Sequence, residues 1–420
     1  MKKNPAIFSI SMMLFMLACQ GLTQNHTSKP LAQDYKIVTE IPKVGEFWVD
    51  VPTLVRLPSG DLLAAIPVGK RDKSNSDWQT RVLKSKDGGK NWKLLHEWPN
   101  NIVGPFEYNG ILYIFVNPKT PRKHNFFDDI AIIQSKDEGE TWTEPVTLFK
   151  GMYWTLQTGM VVKDGTLYWP FNVTSWSGPE AGVVIVAGDL SKDLLDPSSW
   201  RMSNVVLRPD TPEGLTRHLM HEKADEWKQW KVDGWLEPNV VNVNGHLRVL
   251  SRFVIDGYAT ANVCGICDLQ DDGEQMQLSF TQFYPLPGGQ CKFFIRYDPV
   301  SKLFWMASNF VTDSQEMIHD WKRIRAEKPF FSGPGNERRF LMLSYSVDAL
   351  NWFPAGCIAM SKSPYQSFMY PSLDFDGNDI VLISRSAING YDQHDADAAT
   401  FHRIRNFREL ALDLFPEYQY

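Results

Sequence analysis

Along the chain, short alternating apolar runs are broken by turn residues, and one arrangement of the two keeps returning. A turn dipeptide ending in Gly is followed at once by an apolar segment: Ser59-Gly60 by LLAAI, Asn109-Gly110 by ILYIF, Asp164-Gly165 by TLYWPF, Asn244-Gly245 by HLRVL and Asp376-Gly377 by NDIVLI. Such dipeptides between apolar runs predict tight β-hairpins, because Asn, Asp and Gly tolerate the positive φ that those turns require. A sixth turn, Asp298-Pro299-Val300-Ser301, precedes KLFWMAS and plays the same part. Gly60 to Gly110 is 50 residues and Gly110 to Gly165 is 55, followed by steps of 80 to Gly245, 56 to Ser301 and 76 to Gly377. Repeats of this period made of short strands indicate a propeller. An all-β, six-bladed β-propeller of four-stranded blades is the economical reading, with a seventh blade left open. The 80-residue step contains a Lys/Glu/Trp-rich stretch, 213–231, that predicts a short helical insertion.

A second repeat is sharper. Ser85-Lys-Asp87-Gly-Gly89-Lys-Asn-Trp92 and Ser135-Lys-Asp137-Glu-Gly139-Glu-Thr-Trp142 share the pattern S-x-D-x-G-x-x-W, 50 residues apart, and Ser346-Val-Asp348-Ala-Leu-Asn-Trp352 is a shortened copy. The residue types suit a hairpin loop in which Ser and Asp bond local backbone N–H groups, Gly supplies positive φ and Trp packs between blades. These motifs resemble the Asp boxes of sialidase-like propellers, where they are structural and lie away from the active face.

The resemblance covers residues 45 to about 385 and extends to the order of the functional motifs. Phe47 to Ala65, FWVDVPTLVRLPSGDLLAA, resembles the family's first-blade segment. Trp235 to Arg252, WLEPNVVNVNGHLRVLSR, is similar to the segment carrying the Glu that activates the nucleophile, with an arginine of the carboxylate clamp at its end. Glu237 and Arg252 match those positions, and Arg339, or its neighbour Arg338, matches a further clamp arginine. Tyr370-Pro-Ser-Leu373, before Asp376-Gly377 and a strand, resembles the segment holding the nucleophilic tyrosine, and Asp77 lies where the acid/base aspartate belongs. The resemblance therefore implies an exo-acting, retaining glycoside hydrolase, with Tyr370, Glu237 and Asp77 as the catalytic set. A neutral phenol avoids the repulsion an anionic sugar would exert on a carboxylate nucleophile, and it needs a base beside it.

One departure matters. Where the family places its first clamp arginine this chain has Asp50, which changes the local charge by two units and opposes a substrate carboxylate. A sugar presenting a hydroxyl or amine to Asp50 fits better, while two arginines still suit a uronate, a sulfate or a ulosonic acid. A dense polar cluster, Arg385-Ser-Ala-Ile-Asn-Gly-Tyr391-Asp-Gln-His394-Asp395-Ala-Asp397 with His402-Arg403, either lines the active face or closes the last blade onto the first. Its histidines and tyrosine would also serve β-elimination from a uronate, and Arg385 and His394 are the substrate-binding candidates in it. Plainer readings accompany each candidate: Glu237 as a strand-start residue, Tyr370 as a blade-interface ring, Arg252 as a solvated strand end, Arg338 and Arg339 as a surface pair. Trp154, Trp169 and Trp176 read as blade packing more than as sugar platforms.

The N-terminus has its own grammar. Lys2 and Lys3 precede a short apolar run, and Met16-Leu-Ala-Cys19 resembles a bacterial lipobox. Residues 1–19 thus predict a signal, with export and lipidation at Cys19 as the expectation and a simple cleaved signal as the alternative; 20–38 predict a tether and 39–420 a single domain. With 43 Lys+Arg against 49 Asp+Glu, a net charge of −6 and no long basic run, nucleic acid is not the expected partner. Carbohydrate is, and 15 Trp suit it. Cys264-Gly-Ile-Cys267 lacks a second CxxC and lies in strand-like sequence, which predicts buried cysteines on opposite faces rather than a metal or redox site. His218, His221 and Glu222 give only a slight metal signal. No cofactor is implied, and a closed propeller needs no partner to hide strand edges, so a monomer is expected. Three classes remain: an exo-glycosidase, a polysaccharide lyase of the kind that acts on ulvan, and a glycan-binding propeller without turnover.

Overall fold

The computed structural model describes residues 29–41, 46–70, 79–99, 101–118, 127–212, 215, 233–255, 262–311, 337–363, 365–389, 393–394 and 396–412. The expected insertion at 213–231, the signal, and Asp77 lie outside the described residues, apart from Leu215. Within them nearly all regular structure is antiparallel strand, relieved by single 3-10 turns at Pro197–Ser199 and Phe407–Leu410.

Each predicted hairpin is present. Asn109-Gly110, Asp164-Gly165 and Asn244-Gly245 have positive φ at both residues, and Lys302 (φ 56°) closes the turn that begins at Asp298. They join Asn101–Tyr108 to Ile111–Asn117, Val161–Lys163 to Thr166–Val173, Trp235–Val243 to His246–Phe253, and Phe294–Asp298 to Leu303–Asn309. From these hairpins grow four-stranded antiparallel sheets: 235–243, 246–253, 263–271 and 276–285 form one, and 294–298, 303–309, 340–346 and 353–360 another. Two neighbours run together into a nine-stranded sheet, because Tyr153 and Trp154 pair with Val173 and Asn172.

The innermost segments bond to one another in a closed ring. Gln157 accepts from the Leu54 amide (2.8 Å) and donates to the Leu54 and Pro105 carbonyls. Gly159 N and Ile295 N both donate to Asn239 Oδ1. Arg296 pairs with Asp374 (3.2 Å), whose other oxygen accepts from the Arg56 amide. Buried side-chain amides and carboxylates thus satisfy the backbone groups left open where the strands converge.

Closure of the chain uses its N-terminal end. Lys36–Glu40 pairs with Ala398–Ile404, and the Leu31 and Ala32 amides donate to the Cys357 and Ile358 carbonyls. The expected tether is therefore shorter than 20–38: Leu31 to Glu40 belongs to the fold, since Ile37-Val38-Thr39 is β-branched sequence that completes an otherwise three-stranded sheet.

The S-x-D loops fold as their residue types predict. Gly89 N and Gly139 N donate to Ser85 and Ser135 Oγ, while Trp92 and Trp142 Nε1 donate to the Gly89 and Gly139 carbonyls. The Asn91 backbone and side-chain N–H groups hold the Asp87 carboxyl at a pKa of about 2, and the Thr141 hydroxyl and amide do the same for Asp137. Trp92 meets Phe401 and Trp142 meets Trp98, each across two sheets. In the shortened copy Ala349 (φ 55°) takes the left-handed position, and the buried Trp352 indole N–H has no hydrogen bond among the described residues.

At Gly89 (φ 89°) a Cβ would stand 2.1 Å from Phe401 Cε1, whereas at Gly110 (φ 81°) it would meet nothing within 4 Å. Gly89→Ala is expected to cost about 2–4 kcal/mol, combining left-handed strain with overpacking, and Gly110→Ala only about 1 kcal/mol. Urea midpoints of the two variants check this; equal losses would show that packing against Phe401 contributes nothing. Cys264 and Cys267 are buried in different hydrophobic clusters, one on each face of their sheet, and burial pushes both thiols up to about 12.

Candidate active site

Two proline-bearing bulges set the site. Glu237 precedes Pro238 and Tyr370 precedes Pro371, each at a break in strand register, and each is left-handed (φ 53° and 49°). A bulge re-aims one side chain out of the ladder, and a non-Gly residue held at positive φ carries strain of about 1–3 kcal/mol that concentrates at functional positions. Both side chains are buried. Between them lies Arg252, from the end of His246–Phe253, whose Nη1 donates to Glu237 Oε2 (2.9 Å) and to the Tyr370 hydroxyl (3.3 Å), while Nε donates to the Gln290 carbonyl. Burial alone would lower the Arg252 pKa, but the Glu237 carboxylate outweighs it and the net shift is upward. Glu237 and Tyr370 do not bond each other directly.

Over the Tyr370 ring lies Arg385, whose guanidinium is 5.1 Å from that ring centre and 5.2 Å from the ring of Trp48. Arg385 pairs with Asp50 (3.2 Å), the arginine side chain being 2% exposed and the carboxylate 15%. The charge change expected at Asp50 is thus offset by an arginine delivered from the last sheet. His394 Nε2 approaches the Tyr370 hydroxyl at 3.5 Å, and the His394 ring is 6.4 Å from Trp48. Phe127, Trp154 and Trp176 pack in the same cluster as Tyr370 and give the site an apolar wall, whereas Trp169 is fully buried within another sheet pair.

Of the two adjacent arginines, Arg339 turns aside, pairing with Glu337 and stacking over Phe340 with 26% of its side chain exposed. Arg338 is buried, and its charge acts on the Cys291 thiol together with that of Arg252. Sequence reasoning missed Lys292. It is buried behind the site, where Nζ donates to the Pro371 carbonyl, and burial, opposed by Glu237, pulls it down to about 7. Its signal was a lone lysine in the apolar run Cys291 to Ile295. Trp48 was also missed, although it shares a strand face with Asp50 two residues on.

The polar cluster at 385–403 divides. Arg385 and His394 line the site, and Tyr391, Asp392 and Asp395 lie outside the described residues. Asp397 accepts from the Ile388 and Asn389 amides, and Arg403 pairs with Asp376 and Asp379. His402 is buried, Nδ1 bonding the Ala32 carbonyl and Nε2 Thr400, which ties the N-terminal segment to the last sheet. Burial pulls its pKa from 6.5 to about 4. Because the folded state disfavours the charged ring, its contribution is complete above pH 6.5 and lost as pH falls towards 4, about 3 kcal/mol in all. Unfolding free energies at pH 7 and pH 4 measure it, and His402→Gln is expected to flatten that difference. A separate cavity of about 340 Å³ opens among the hairpin ends, lined by Asn244, Arg296, Tyr297 and Lys302, and contains none of the residues around Tyr370.

No family model matches the chain, and no curated protein matches it in sequence. Solved structures do match in shape. The α-L-arabinanase of Penicillium chrysogenum complexed with arabinobiose superposes with a TM-score of 0.52 at 13% identity, over 89% of this chain and 98% of that one. The sialidase of Trypanosoma rangeli in complex with sialic acid gives 0.54 at 14% identity, over 91% of this chain and 58% of that one, so the chain spans little more than half of that enzyme's length. The fold is that of the sialidase-like β-propellers. The α-L-arabinofuranosidase of Fusarium graminearum with an iminosugar inhibitor shares it, with a TM-score of 0.52 at 12% identity and coverage of 88% and 97%. In this propeller Tyr370, Glu237 and Arg252 come together where inner segments of different sheets converge, beside Asp50, Arg385 and His394.

Proposed function

We propose that this protein is an exported, exo-acting glycoside hydrolase that removes a terminal acidic or modified sugar from a glycan or polysaccharide. One observation carries the reading: Tyr370 and Glu237, from two different sheets, stand on matching proline bulges and share one nitrogen of Arg252. In this mechanism the Tyr370 oxygen attacks the anomeric carbon while Asp77 protonates the departing oxygen; Asp77 then activates water to hydrolyse the glycosyl-tyrosine, with retention. Arg252 donates to the phenol oxygen and so fixes where that oxygen stands. Arg385 and Asp50 form a rigid edge on which sugar hydroxyls are read, and the apolar wall of Trp154 and Trp176 supports a pyranose or furanose face. That the structural neighbours include a sialidase, an arabinanase and an arabinofuranosidase supports glycoside hydrolysis over a purely structural role.

Six blades, a single domain, lipid anchoring at Cys19 and a monomeric state complete the proposal. A second reading, β-elimination on a uronate, is favoured by the histidine beside Tyr370. Incubation with sialylated, uronate-containing, sulfated and arabinose-containing glycans, analysed by mass spectrometry and ultraviolet absorbance, separates the readings. A released saturated monosaccharide is expected; an ultraviolet-absorbing unsaturated product would establish the lyase, and binding without product from any glycan the non-catalytic propeller.

A further inference from the structure

Donor accounting at the Tyr370 hydroxyl leads beyond the pairing of Tyr370 with Glu237. Arginine has only N–H donors, so towards Arg252 Nη1 the phenol oxygen is the acceptor. The phenol proton must then point elsewhere. Glu237 Oε2 accepts from the same Arg252 nitrogen, and Glu237 and the phenol share no hydrogen bond. Among the described residues, the acceptor within reach is the ring nitrogen of His394, at 3.5 Å, a separation of the kind that tightens when substrate closes a site.

We propose that His394 Nε2 is the base that takes the Tyr370 proton, and that Glu237 is a positioning residue that aims Arg252 at the phenol oxygen. The inference rests on the reading of Tyr370 as nucleophile. As the phenol O–H breaks, its proton passes to His394 Nε2 and the oxygen pair forms the bond to the anomeric carbon. The bond to the leaving oxygen breaks towards that oxygen, which takes its proton from the acid residue. In the second half, water attacks the anomeric carbon and gives its proton to that residue. The Tyr370–carbon bond returns its pair to the phenol oxygen, and His394 returns the proton. The groups facing His394 suit a proton acceptor. The Trp48 and Tyr370 rings lie 6.4 and 6.1 Å from its ring, Asp50 pairs with Arg385, and Arg252 donates to the phenol oxygen.

The test needs no known substrate. In the full chain labelled with ¹⁵N-histidine, the His394 signal is identified by its loss in His394→Gln. Tyr370→Phe is expected to move the His394 Nε2 shift, because the donor to that nitrogen is gone, while Glu237→Gln changes it less. On any glycan that is turned over, His394→Gln is expected to lower kcat about a hundredfold or more with KM little changed. An Nε2 shift that stays put in Tyr370→Phe, or a wild-type kcat in His394→Gln, overturns the proposal. A panel with no product sinks the hydrolase reading instead, and the nitrogen shift still decides whether the phenol donates to His394.

Discussion

Tyr370→Phe is expected to lower turnover by about a thousandfold or more while leaving the protein folded and close to its original stability. The substitution removes one oxygen and nothing else. The ring keeps its place in the cluster with Met369, Trp154 and Phe127 and its stack with Arg385. Arg252 loses one of three bonds but keeps Glu237 and the Gln290 carbonyl, so the expected stability loss is about 1 kcal/mol. Melting temperature and kcat measured on the same preparation separate chemistry from folding. A variant within tenfold of wild-type turnover would remove Tyr370 from the role of nucleophile, and mass spectrometry of a slowly hydrolysed substrate is expected to find a sugar adduct on Tyr370 in the wild type alone.

What could be read from the sequence was local. The hairpin turns and the S-x-D loops depend on bonds between residues two to four apart, so a motif such as Ser85 to Trp92 contains its whole cause. Glu237 and Tyr370 were legible by resemblance alone; the bulges on which they stand, each followed by proline, were not. Long-range compensation was not legible. Asp50 looked like an unanswered negative charge because Arg385, its partner, lies 335 residues on. Arg338 and Arg339 could not be separated, because only the geometry before the strand Phe340–Ser346 decides which of them faces inward. His402 shows the opposite error: a histidine suggestive of chemistry is spent on holding the Ala32 carbonyl. Lys292 escaped notice because a lysine in an apolar run gives no hint of which carbonyl will receive it.

Arg252→Met is expected to be among the most damaging single changes, destabilising by about 3–5 kcal/mol. The cause is what remains. Glu237 has 1% of its side chain exposed, and deleting its partner leaves a buried carboxylate whose desolvation is no longer offset. Glu237→Gln removes that charge but strands the guanidinium, which then has only neutral partners in Tyr370 and Gln290, so it too is destabilising. The double variant, Arg252→Met with Glu237→Gln, buries neither charge and is expected to be more stable than Arg252→Met alone, with a coupling energy of about 1–3 kcal/mol in a double-mutant cycle of urea unfolding. Strict additivity would show that the pair is not energetically linked. Lys292 sets the upper limit of the effect. Its ammonium feels Glu237 in the intact protein, and without the Arg252 guanidinium beside that carboxylate the Lys292 pKa is expected to rise. The destabilisation of Arg252→Met is then expected to be smaller well below pH 7, where Lys292 is charged in both proteins, and to grow as pH rises through 7 and the intact protein loses that charge before the variant does.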